Sequence, residues 1–87
     1  RCWPLQLQED YRQLLKSSSA DINNMPSARE GGAISAALFL SEFAGRTRWA
    51  HIDIAGPAYH KKEGAYCGPG GTGFGVRLLM DWLMNLA

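Results

Sequence analysis

One run in this chain, Trp49-Ala50-His51-Ile52-Asp53-Ile54-Ala55, reads as a β-strand, and it stands alone. Alternation puts Trp49, His51, Asp53 and Ala55 on one face and Ala50, Ile52 and Ile54 on the other, so both faces carry apolar side chains. A strand of that kind belongs inside a layered α/β sheet, because one covered on a single side tolerates more polarity. One strand cannot make a sheet. Its neighbours are expected from another part of a longer polypeptide or from another chain, which makes these 87 residues part of a larger α/β domain.

The segments around the strand read as helices. Leu7, Tyr11, Leu14 and Leu15 recur at helical spacing opposite Gln8, Glu9, Arg12, Gln13 and Lys16, which predicts an amphipathic helix of about three turns entered at Pro4. Ser17-Ser18-Ser19 ends it, and residues 21–27 are rich in turn formers whose Asn and Asp side chains can accept from nearby backbone N–H groups. A second helix is predicted over about 33–44, apolar on nearly every side, with Gly45 as its stop. Residues 56–73 hold Gly56, Gly64, Gly68, Gly70, Gly71 and Gly73 together with Pro57 and Pro69, and read as a long loop. A last helix begins near Phe74 or Gly75, with Val76, Leu79, Met80 and Leu83 on one stripe.

Composition narrows the function classes. Hydrophobic residues make up 46% of the chain, which is a globular supply, while a chain this short normally needs disulfides, metals or partners to fold alone. Cys2 and Cys67 lack metal-ligand spacing and read as unpaired, partly buried thiols in a reducing compartment. The net charge is +1 with both signs interspersed, so there is no basic footprint for nucleic acid. Neither an apolar run long enough to span a membrane nor a signal-peptide core is seen, so no membrane association is expected.

Three constellations could carry chemistry. His51 and Asp53 lie on one face of the strand and, with His60, offer metal-ligand types, although a metal site needs three or four converging groups. The structural alternative has Asp53 buried at the strand end, accepting from loop N–H groups, and His51 pairing locally. Gly68-Pro69-Gly70-Gly71-Thr72-Gly73-Phe74-Gly75 clusters backbone donors before a helix, as an anion site would, but it lacks the Gly-Lys-Ser/Thr ending of a phosphate loop and follows no βαβ unit. Tight loop packing with Thr72 as a helix cap is the other reading. Ser35 or Cys67 could join the histidines in a hydrolase triad, yet no nucleophile elbow surrounds a serine.

Several runs in order resemble the C-terminal end of the leucyl aminopeptidase, or cytosol aminopeptidase, family. They are Trp3-Pro4-Leu5 with Tyr11, Ala20-Asp21-Ile22-Asn23-Asn24, Gly32 to Leu40 with Phe43, Trp49 to Gly56, and Gly71-Thr72-Gly73-Phe74-Gly75-Val76-Arg77. Met25-Pro26 departs from the glycine-containing continuation common in the family. The resemblance implies that residues 1–87 are the C-terminal segment of a three-layer α/β/α catalytic domain. It implies a cytoplasmic enzyme, usually a homo-hexamer, that removes N-terminal residues from peptide substrates with two divalent ions, Zn or Mn. The family's ligands and its Asn-Thr-Asp-Ala-Glu-Gly-Arg motif lie upstream, so no catalytic or metal residue is expected here and the chain alone is predicted inactive. Ala55 and Ala58 match positions that line the pocket for the substrate's first side chain; position 58 is Met in some relatives, and Ala leaves more room. The rival class is a noncatalytic structural or interaction module related to aminopeptidases.

Overall fold

The computed structural model describes residues 2–26, 30–64 and 66–86. It divides into two compact units, Arg1–His51 and Ile52–Ala87.

The first unit pairs a 3-10 helix, Glu9–Leu15, with helix α1, Gly32–Ala44. The expected three-turn α-helix is thus shorter and tighter, and Pro4 lies outside it. In a 3-10 helix residues three apart eclipse one another. That places Glu9 beneath Arg12, which donates to its carboxylate and reaches across to Glu42 of α1. A further bond runs from the Arg12 guanidinium to Ser41 Oγ, at 3.4 Å. Asn23 secures the helix end: its N–H donates to the Leu15 carbonyl at 2.8 Å and its Nδ2 to the Lys16 carbonyl at 2.9 Å. The turn-forming stretch therefore works by donating to orphan carbonyls rather than accepting from N–H groups. Ser27, at the end of that stretch, lies outside the described residues.

Helix α1 matches the expected span. It begins after Gly31, whose φ of 56° favours a residue without Cβ, and stops at Gly45. Leu15, Ala37 and Leu38 are buried between the two helices, with Leu38 at 0% exposure. Ser35 is buried with them and donates its hydroxyl back to the Gly32 carbonyl at 3.1 Å, so its polarity is satisfied. Cover is one-sided: Phe43 is 70% exposed, although it meets Phe39 edge to face at 5.2 Å.

The expected strand over 49–55 is not formed. A strand is defined by its ladder, and no described residue hydrogen-bonds to this run as a neighbouring strand. Ile52 and Ile54, expected to be covered, are exposed.

The second unit carries a small antiparallel ladder, β1 (Tyr59–His60) with β2 (Gly70–Gly71), in register Tyr59 to Gly71 and His60 to Gly70. The expected loop over 56–73 thus folds back on itself, and the Gly64 N–H closes its excursion by donating to the Cys67 carbonyl at 2.9 Å. Helix α2, Val76–Met84, starts slightly later than predicted, after Gly75 at a φ of 87°. Its far end is tied by Asn85, whose Nδ2 donates to the Asp81 carbonyl at 2.7 Å. None of the residues of α2 is buried, including the Val76, Leu79, Met80 and Leu83 stripe. No described helix is long and apolar enough to cross a membrane.

Two outcomes follow from the first unit. Leu38→Ala leaves a cavity between α1 and the 3-10 helix and lowers unfolding stability by about 2–5 kcal/mol, read as a reduced urea midpoint; an unchanged midpoint would mean this seam adds nothing. The hydrogen bond from Arg12, aided by its charge, holds the Glu9 carboxyl below the usual glutamate range and raises Arg12 further. Because the folded value is the lowered one, the pair's contribution is whole above the unfolded glutamate value and fades as pH falls through the folded value. Solvent screening keeps that contribution small. Carbon-detected NMR titration should place Glu9 below an ordinary glutamate, and Arg12→Gln should return it there.

Candidate functional site

In the second unit the turn over residues 54–58 carries Ala55 and Ala58 and is hydrogen-bonded on both flanks. Asp53 opens it: its Oδ1 accepts from the Ala55 N–H at 2.9 Å, a local turn that a short carboxylate makes readily. The Ala58 N–H then donates to the Ile54 carbonyl at 2.9 Å, closing one helical turn. Ala55 is exposed and Ala58 half-buried.

The turn is fastened to the chain beyond β2. Thr72 donates its N–H to the Ala58 carbonyl at 2.9 Å, extending the ladder by one step past Tyr59 and Gly71. Its hydroxyl donates to the Pro57 carbonyl at 2.6 Å and accepts the Phe74 N–H at 3.2 Å. Thr72 is therefore not a cap on α2, as its position in the sequence suggested. The helix begins after Gly75, and Thr72 instead links two segments 15 residues apart. A shallow depression of about 300 Å3 lies beside this junction, bounded by Pro57, His60, Thr72, Phe74 and Arg77. Sequence reading missed the link because nothing local in Thr72-Gly73-Phe74 names a partner as remote as Pro57.

The other candidates separate. Among the described residues no three His, Cys, Asp or Glu side chains converge on a point that could hold a metal ion. His51 instead stacks on Trp49 at 6.1 Å, the local pairing that was the structural alternative. Asp53 does accept from a loop N–H, but it is exposed rather than buried, since no sheet covers it. The glycine-rich loop already uses the Thr72, Phe74 and Val76 N–H groups within the chain, so those donors are not free for an anion. Ser35 points its hydroxyl back along α1. Both cysteines are free; Cys67 is half-buried, while Cys2 is exposed because nothing described packs over it.

Comparison with known proteins gives these segments a context. Residues 1–80 match the cytosol aminopeptidase family, catalytic domain. A probable cytosol aminopeptidase of Trichormus variabilis is 52% identical over 85 residues, covering 98% of this chain and 17% of that protein. Probable cytosol aminopeptidases of Nostoc punctiforme and Acaryochloris marina are 49% and 48% identical, covering 99% and 95% of the chain. Such identity over nearly every residue reaches from the 3-10 helix to α2, and the chain belongs to the cytosol aminopeptidase family. It is a small α/β segment consistent with part of that catalytic domain, and it spans 17% of the length of these curated relatives.

Proposed function

We propose that residues 1–87 are the C-terminal segment of a three-layer α/β/α aminopeptidase domain, and that the whole protein hydrolyses the N-terminal residue from peptides in the cytoplasm. The observation that carries this reading is the match of 98% of the chain, at 52% identity, to a relative named a probable cytosol aminopeptidase. The exposed stripe of α2 and the unpaired run at 49–54 support it, since both are surfaces that a larger sheet and its helices would cover. A homo-hexamer, the usual assembly in the family, would bury more.

Two divalent ions, Zn or Mn, would activate water and polarise the scissile carbonyl in the whole enzyme. Among the described residues no three His, Cys, Asp or Glu side chains converge to fit either ion. On the family resemblance their ligands would lie in the upstream part of the domain, and this chain alone would be inactive. The segment's own contribution is a wall. Ala55 and Ala58 would line the pocket for the substrate's first side chain, held by Asp53 on one flank and by Thr72 on the other. Small side chains there leave room, and a pocket wall of this kind discriminates by size.

The full-length protein should release the first residue of leucyl peptides, lose that activity on chelation and regain it with Mn or Zn, while the 87-residue chain shows none with either metal. Hydrolysis indifferent to chelation would refute the two-metal reading. In the same full-length protein, Ala58→Met should lower kcat/KM for phenylalanyl relative to alanyl substrates by about tenfold. An unchanged ratio would remove Ala58 from the pocket wall.

A further inference from the structure

We infer that Thr72 is a positioning residue that sets the specificity of the first-side-chain pocket, acting through the Pro57 and Ala58 carbonyls rather than by touching substrate. The inference rests on the proposed role of Ala58. It starts from the bonding of one side chain. The Thr72 hydroxyl has a single proton, spent on the Pro57 carbonyl at 2.6 Å, and one of its lone pairs takes the Phe74 N–H at 3.2 Å. Its backbone N–H holds the next carbonyl along, that of Ala58, at 2.9 Å. Two successive carbonyls of the pocket wall are thus bonded to one residue.

No other described hydrogen bond reaches the Pro57 carbonyl. Pro57 has no N–H of its own, so that carbonyl is its whole backbone hydrogen-bonding capacity. The Ala58 N–H is bonded only within the turn, to Ile54. Beyond the ladder of β1 and β2, Thr72 is what fixes how far the turn leans, and the turn carries the Ala58 methyl. The Phe74 bond extends the link to the entrance of α2, where the Val76 N–H donates to the Gly73 carbonyl at 3.1 Å. A β-methyl in place of the hydroxyl would match its volume and leave the Pro57 carbonyl and Phe74 N–H without this partner.

The test compares Thr72→Val, Thr72→Ser and Ala58→Met in the full-length, metal-loaded enzyme, using alanyl, leucyl, phenylalanyl and tryptophanyl substrates. Thr72→Val should shift the ratio of kcat/KM between large and small first residues about fivefold, with the change falling on KM, and Thr72→Ser should restore it. If Ala58→Met moves the ratio but Thr72→Val does not, or scales every substrate by one factor, the positioning role is overturned while the pocket reading stands. If Ala58→Met leaves the ratio unmoved, the pocket reading itself fails, and the inference with it. Should Thr72→Val not fold, hydrogen exchange on the unmodified enzyme decides: the Thr72 and Phe74 amides should be protected well beyond that of Gly73, and equal exchange would overturn the proposal.

Discussion

Apolar surface without a covering layer governs this structure. Helix α2 offers Val76, Leu79, Met80 and Leu83 to solvent, and the run at 49–54 offers Ile52 and Ile54. Against that stands a buried set of Leu15, Ala37, Leu38 and Ser35, all in one seam between α1 and the 3-10 helix. Burial stabilises in rough proportion to the apolar area removed from water, so the seam orders the first unit while the second is ordered mainly by hydrogen bonds. Apart from the bonds of Thr72 to Pro57 and Ala58, they are short-range or form a two-residue ladder, an arrangement marginal by itself. On the proposed reading, the rest of the catalytic domain supplies the missing cover.

That distinction explains which elements were legible in the sequence. Helix α1 was readable to within a residue because its hydrogen bonds are internal and its Gly31 and Gly45 boundaries are chemical. The start of α2 was readable for the same reason, with Gly75 at a positive φ. The strand at 49–55 was read from a pattern that anticipates neighbours, and a ladder cannot form without them. The first helix was read as α from a stripe that also fits a tighter spiral; the eclipsed Glu9 and Arg12 fit the spacing of the 3-10 form. Periodicity predicts which side chains want company, and only the company decides the geometry.

The site divides in a similar way. Ala55 and Ala58 were identified through the family runs, because an alanine has no chemistry by which spacing could single it out. His51, Asp53 and His60 drew notice for the opposite reason, being residue types with metal chemistry, yet among the described residues no three such groups converge. Thr72 fell between the two. Its composition suited a helix cap, and its role as a tie to Pro57 depends on the fold-back of 59–60 against 70–71, which short-range reading cannot see.

The tie also accounts for how a glycine-rich stretch can hold a defined position at all. Gly70, Gly71, Gly73 and Gly75 give the backbone freedom that must be lost on folding, and each loses more than a residue with a side chain would. Thr72 is the one residue among them with a side-chain donor and acceptor, and it uses both. Placed at the end of the ladder, its hydroxyl converts a flexible return into a brace on the Pro57 and Ala58 carbonyls. The glycines permit the turn, whereas the threonine selects one conformation from those they allow. On the proposed reading, a pocket wall made of alanines, with no polar handle of its own, would then take its placement from a residue outside the pocket.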